Sequence, residues 1–159
     1  MQSFWRRFSL RLRSVARMSR SDRTLVAESV VMLAAARILV KATPRGQLIR
    51  RIGGAVPETV ETGLSEVVMG TRALDAVHVG KMVERVSHFT WWRSMCLEKA
   101  LAGRWMLRRR GIASVMYVGM AKQGQEFVAH AWLVGEGRTV TGGGLQKYST
   151  LAAFRELKF

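Results

Sequence analysis

The fold is decided by the stretch Ser94-Met-Cys-Leu-Glu-Lys-Ala-Leu-Ala-Gly-Arg-Trp-Met-Leu-Arg-Arg-Arg-Gly111, which runs directly into Ile112-Ala-Ser-Val-Met-Tyr-Val-Gly-Met120. In the first part, apolar residues recur at helical spacing, Ser94 is a suitable N-cap, and Gly111 is a suitable left-handed stop. In the second part, the helical spacing gives way to the two-residue period of a strand. The sequence therefore predicts a helix beginning near Cys96 and a sheet after it.

The same patterns predict the remaining elements. Upstream we expect helices over 24–41, 45–52 and 75–88 with a loop at 55–63, and the first helix is apolar enough to be buried on more than one side. Downstream we expect strands over 114–120, 126–134 and 138–141, a three-residue turn at Gly135-Glu-Gly137, and a C-terminal segment, 149–159, that covers the sheet. The arginines at 108–110 fit cations at a helix C-terminus. Helices first and an antiparallel sheet after them predict an α+β fold.

The composition limits the class of protein. The chain has 159 residues, enough for one domain, and 26 Lys and Arg against 11 Asp and Glu give a net charge of +15. Such a charge favours nucleic acid, an anionic membrane surface or an acidic protein as partner. A single cysteine excludes an intramolecular disulfide framework, and with only three histidines, at unhelpful spacings, we expect neither a metal site nor another cofactor.

The chain divides by composition into a basic amphipathic arm (1–23), a helical subregion with a loop (24–63) and a core (64–159), together one compact domain. A solvated terminus is the alternative for the arm. It lacks the uninterrupted apolar run of a secretory signal, and Glu28, Arg37 and Lys41 interrupt the most apolar segment, 25–42. We expect a soluble, cytoplasmic protein with at most weak contact to a membrane surface.

Cys96 and His130 are the candidate reactive pair. Cys96 lies in the first turn of its helix, where unpaired N–H groups and the helix dipole stabilise a thiolate. His130 lies 34 residues later in the strand Phe127-Val-Ala-His-Ala-Trp-Leu-Val134, and its imidazole could carry the proton. A cysteine at a helix start followed by a histidine in a later strand is typical of a papain-like or transglutaminase-like nucleophile. From spacing alone, a small buried cysteine and a hydrogen-bonded core histidine remain the alternative.

Proton transfer between Cys96 and His130 requires their side chains to lie on the same side of the sheet. The cysteine helix must pack on the strand face that carries His130. If the hairpin is centred on Glu136, His130 lies opposite Gly142, which has no side chain to orient the imidazole. No Asp or Asn follows His130 in the chain. We therefore expect a backbone carbonyl or a water near Gly142–Gly144 to accept from the ring, with Gln146 a weaker candidate and Glu136 a poor one.

The motifs around this pair resemble the lasso-peptide leader peptidases, the transglutaminase-like B proteins of lasso-peptide biosynthesis. The resemblance covers about residues 24–157. It rests on Cys96-Leu-Glu-Lys-Ala-Leu-Ala102, Leu107-Arg-Arg-Arg-Gly-Ile112, Val118-Gly119, Phe127-Val-Ala-His-Ala-Trp132 with Gly137, and elements of 28–53.

The resemblance implies a transglutaminase-like cysteine protease that removes the leader of a precursor peptide before a separate cyclase closes the ring. It implies Cys96 as nucleophile and His130 as general base, and it places the family's usual Asp at Gly142. It also implies a separate small leader-binding protein as partner, the cyclase as a further one, and no nucleic acid. Trp91, Trp92 and Trp132 would line the substrate cleft, with core packing as the alternative for each.

Two other functions stay open from the residues. The same Cys–His pair could transfer the acyl group to an amine instead of to water. A non-enzymatic adaptor could use the basic charge to bind nucleic acid or an acidic membrane.

Overall fold

The structure is a computed structural model that describes residues 18–44, 47–48, 55–56, 71–123, 125–143 and 148–155. In these ranges it contains three helices of more than one turn and five strands. In chain order they are α1 (Arg20–Ala42), β1 (Ala55–Val56), α2 (Thr71–Ser87), α3 (Cys96–Arg108), β2 (Ser114–Gln123), β3 (Glu126–Gly135), β4 (Arg138–Thr141) and β5 (Ser149–Arg155).

The strands form one antiparallel sheet in the order β1-β5-β2-β3-β4. The predicted α+β class is confirmed. The expectation that 149–159 only covers the sheet is wrong, because residues 149–155 form β5 between β1 and β2. Ala55 and Val56, expected in a loop, pair with β5. Each pairing satisfies backbone groups that would otherwise remain open at a strand edge.

The β3–β4 hairpin differs from the expected register. Gly135 pairs with Arg138, so the turn has two residues, Glu136 and Gly137, with φ of 48° and 70°. Two consecutive positive φ angles are typical of the type I′ turn, whose twist matches that of the strands better than the predicted three-residue turn. Between Val134 and Leu133 the pairing register also shifts, so that the last β3–β4 pair is Leu133 with Thr141. β4 therefore ends before it reaches the level of His130.

α1 begins four residues before the predicted start, because the Ser19 hydroxyl accepts the N–H of Asp22 at 3.0 Å and caps the helix. Its buried residues form one stripe, Leu25, Ser29, Leu33 and Ala36. The expectation of burial on more than one side is wrong, since α2 and α3 pack on that stripe while Ile38 is 67% exposed. No helix of the described residues is long and apolar enough to cross a membrane.

α2 also begins four residues earlier than expected. Of the predicted helix 45–52, Gln47 and Leu48 are helical and the rest lies outside the described residues, as does the basic arm up to residue 17. The division of the chain at 23 and 63 stays a prediction.

The arginines that follow α3 act as expected of cations at a helix end. Arg110 donates to the carbonyl of Met106 at 2.7 Å, and Arg109 and Arg110 both pair with Glu28 of α1. Gly111 follows with a φ of 64°, as the predicted stop requires.

α2 packs on β4 at a point where the helix has no side chain. A Cβ added at Gly80 would overlap the carbonyl oxygen of Val140. Only glycine therefore allows this separation between the helix and the strand. Glu84, one turn further along α2, reaches the chain two residues beyond Val140, because a helical turn and two strand residues have similar lengths of about 5.4 and 6.7 Å.

We predict that Gly80→Ala destabilises the protein by about 1–3 kcal/mol, since the added methyl group must push α2 away from β4. This loss opposes the gain of about 1 kcal/mol that alanine normally gives inside a helix. Thermal and urea unfolding measure the change, with Lys81→Ala at the neighbouring exposed position as control. A Gly80→Ala protein that is more stable than the wild type would contradict the close approach.

Candidate active site

Cys96 is the first residue of α3, and Met95 is the N-cap. The prediction of Ser94 as N-cap is wrong. Its hydroxyl instead lies 3.5 Å from that of Thr90, and the Glu98 carboxylate accepts the N–H of Met95 at 3.2 Å. A carboxylate three residues after the cap thus stabilises the helix start, as in half of a capping box. The thiol is half-buried and free.

The segment before Cys96 is tied to α1 through a buried charge. Glu98 is only 2% exposed, and its second oxygen lies 3.4 Å from Arg37. Arg37 also donates to the carbonyl of Arg93 at 3.2 Å, and its guanidinium lies 6.0 Å from the ring centroid of Trp92. One side chain of α1 therefore fixes both the first turn of α3 and the chain that enters it.

Extrapolated from the contact of Gly103 with Leu133, the rises per residue of helix and strand put Cys96 near the level of residue 130 of β3. Farther along the same stripe of α3, a Cβ at Gly103 would meet Leu133 at 3.0 Å. The seven residues from Gly103 back to Cys96 span about 10 Å of helix, and this length corresponds to about three residues of strand. The helix and β3 run in the same direction here, since Leu107 meets Gly135.

His130, however, points to the other face of the sheet. α3 packs on Ala131 and Leu133, which belong to the core cluster, so the expectation that it packs on the His130 face is wrong. The His130 ring stacks on Tyr148 at 4.6 Å between centroids, and Trp132 stacks on Tyr117 at 5.5 Å. Among the described residues, the Cys96 thiol forms no hydrogen bond. The structure therefore places α3 and the His130 side chain on opposite faces of the sheet, with no contact between Cys96 and His130 among the described residues.

The imidazole is oriented by the backbone. His130 Nε2 lies 3.2 Å from the carbonyl oxygen of Gly142. Because a carbonyl only accepts, this contact requires the proton on Nε2, and in the neutral imidazole Nδ1 then keeps its lone pair. The expectation of a backbone carbonyl near Gly142–Gly144 is confirmed. Gln146 lies outside the described residues, and Glu136 stands exposed in the turn.

Comparison with known proteins identifies the family. Residues 50–155, which contain both Cys96 and His130, match the model of the transglutaminase-like superfamily. The chain belongs to the transglutaminase-like superfamily. Proteins of this superfamily are generally cysteine peptidases or acyltransferases. No curated protein and no solved structure gives a significant match to the chain.

The position at which the resemblance expects a catalytic Asp cannot hold a side chain in this transglutaminase-like chain. Gly142 has a φ of 77°, and a Cβ built there would lie 2.7 Å from the carbonyl oxygen of Ala131 and 2.9 Å from Cβ of Trp132. Both the backbone angle and the lack of space require glycine. An Asp at position 142 would therefore require a different backbone conformation at this point of the chain.

Glu84 is the nearest carboxylate to this point among the described contacts. Its Oε1 accepts the N–H of Gly142 at 3.3 Å, and its Oε2 lies 2.8 Å from the ammonium group of Lys99. Lys99 is one turn after Cys96. A continuous series of polar contacts thus runs from the first turn of α3 through Glu84 and Gly142 to His130.

Sequence reasoning missed Glu84, Glu98 and Tyr148. Glu98 could have been found from its position three residues after the helix start. Nothing local marks the other two, because Glu84 depends on the packing of α2 on β4 and Tyr148 on the insertion of β5 into the sheet. No three described His, Cys, Asp or Glu side chains converge as metal ligands.

The three candidate tryptophans have different surroundings. Trp91 is 92% exposed and lies five residues before Cys96. Trp92 is half-buried against the core, and Trp132 is only 5% exposed. Trp92 and Trp132 thus show the packing role that the sequence left open, and Trp91 is the one of the three whose ring is accessible.

We predict that Gly142→Ala destabilises the protein by about 1–3 kcal/mol, the usual cost of a left-handed non-glycine residue, and breaks the contact between Nε2 of His130 and the carbonyl of residue 142. Gly143→Ala is the matched control, since a Cβ at Gly143 meets nothing within 4 Å. Urea unfolding of both variants checks the difference. Equal stability of the two would show that residue 142 does not hold this conformation.

Proposed function

We propose that the protein is a cysteine protease that removes the leader from a lasso-peptide precursor, with Cys96 as nucleophile and His130 as general base. The observation that carries the proposal is the His130 imidazole, held through Nε2 so that Nδ1 can accept a proton. The candidate thiol, Cys96, begins a helix, and the chain belongs to the transglutaminase-like superfamily. The motif resemblance supports the choice of substrate.

The reaction would proceed by acyl transfer through Cys96. Nδ1 of His130 takes the thiol proton, and the thiolate attacks the carbonyl at the leader–core junction. The C–N bond breaks as the protonated imidazole gives its proton to the leaving amine of the core peptide. Water then hydrolyses the thioester and releases the leader as a free acid. The backbone N–H of Cys96, at the positive end of α3, would donate to the oxyanion.

In the free structure α3 and the His130 side chain lie on opposite faces of the sheet, so the proposed proton transfer requires a rearrangement of this region when the peptide binds. The exposed ring of Trp91 would contact the precursor peptide next to Cys96.

The partners follow from this role. We propose that a separate small leader-binding protein presents the precursor and that a ring-closing cyclase takes the released core peptide. The net charge of +15 would then favour an acidic leader or partner protein and not nucleic acid.

We predict that Cys96→Ala abolishes leader removal, because no other described side chain offers a thiolate. Cys96→Ser should lose nearly all activity too, since a hydroxyl is far less acidic than a thiol. The assay mixes precursor, leader-binding protein and variant and follows the peptides by mass spectrometry, while circular dichroism verifies the fold. Appreciable cleavage by the alanine variant would exclude a cysteine protease.

The superfamily also contains acyltransferases, and this favours a second candidate, transfer of the acyl group to an amine. We predict that added hydroxylamine diverts only a minor part of the leader into a hydroxamate if water is the natural acceptor. The leader mass distinguishes the free acid from the hydroxamate. A product that forms only in the presence of an amine would identify a transferase.

A further inference from the structure

We propose that Glu84 is the positioning residue for His130 and that it acts through the backbone of Gly142, in place of the Asp that this chain lacks. The inference rests on the proposed function of His130 as general base. Glu84 contacts neither the imidazole nor Cys96 in the described contacts, so its effect must be indirect.

The position of Glu84 is determined by packing. Gly80 lets α2 approach Val140 so closely that no side chain fits between them. One turn later, Oε1 of Glu84 meets the N–H of Gly142 at 3.3 Å. This N–H has no partner strand, since the β3–β4 pairs end at Thr141. The carboxylate therefore satisfies a backbone donor at the end of the strand.

The second carboxylate oxygen is held by an ion pair. Oε2 lies 2.8 Å from Lys99 on α3, and both side chains are partly exposed. An exposed ion pair contributes little stability by itself. The ion pair instead orients the Glu84 carboxylate. With one oxygen fixed by Lys99, the other points at Gly142 and accepts a charge-assisted hydrogen bond.

The hydrogen bond from Gly142 in turn directs the carbonyl that His130 uses. The N–H and the carbonyl of Gly142 belong to two peptide groups joined through a glycine with positive φ, and a contact that holds the first peptide group reduces the freedom of the second to turn. Without Glu84, the residue 142 carbonyl can turn away from Nε2, and the imidazole can then exchange between its two neutral tautomers. Only the tautomer with the proton on Nε2 leaves Nδ1 able to accept the thiol proton.

The first experiment measures the tautomer of His130 directly. Nitrogen-15 NMR of the full chain, labelled in its three histidines and assigned with His130→Gln, reports which ring nitrogen carries the proton. We expect the Nε2–H form in the wild type and a mixture in Glu84→Ala. Glu84→Gln should keep more of the Nε2–H form than Glu84→Ala, because its single amide oxygen can still accept from Gly142 although the ion pair with Lys99 is lost.

Asp75→Ala, an exposed acid on the same helix, is the matched control and should leave the His130 spectrum unchanged. A wild-type tautomer in Glu84→Ala would overturn the proposal. The same mixture in Glu84→Ala and Glu84→Gln, with Tm values unchanged, would overturn it as well, since the hydrogen bond to Gly142 would then have no effect on the tautomer.

The second experiment follows leader removal. We expect Glu84→Ala to lower kcat at least about tenfold with KM within about twofold, since misplacement of a catalytic group by about 1 Å can cost about 100-fold in rate. Glu84→Gln should recover most of the loss. A rise in KM with kcat unchanged would place Glu84 in peptide binding and overturn the proposal. If the wild type does not cleave the precursor at all, the proposed function fails, whereas the NMR result still decides whether Glu84 orients His130.

Discussion

The close approach of α2 to β4 at Gly80 and Val140 is the contact on which the rest of the structure depends. It sets the distance between α2 and β4, and it determines what the next turn of α2 can reach. Glu84 meets Gly142 only because Gly80 has no side chain. A substitution at Gly80 would therefore also displace Glu84 and, through Gly142, affect His130, since closely packed layers move as units.

The histidine is held by backbone where a carboxylate is usual. A carbonyl fixes the tautomer as well as a carboxylate does, but it stabilises an imidazolium less, because it carries no full charge. We expect such a pair to be slower than a full triad and still competent. The nearest negative charge in this series of contacts belongs to Glu84, which is linked to His130 only through Gly142. Lys99 partly neutralises that charge.

The nucleophile helix depends on a different charge. Glu98 is buried at the start of α3 and is neutralised by Arg37 from α1, so the loop before Cys96 has little freedom to move. Removal of Arg37 would leave a buried carboxylate without its partner, and such losses commonly cost about 3–5 kcal/mol. The N-terminal helix thus contributes to the site although it carries none of the proposed catalytic residues.

The sequence by itself determined the α+β class, the start of a helix at Cys96, the strand that carries His130 and the lack of a side chain at Gly142, because spacing, turn residues and composition are local properties. It also predicted that a backbone carbonyl would orient the imidazole. It did not determine the face on which α3 packs, the two-residue hairpin, the strand β5 or the role of Glu84. These depend on which distant surfaces fit together, and a contact such as Gly80 against Val140 joins residues 60 positions apart, which no local pattern records.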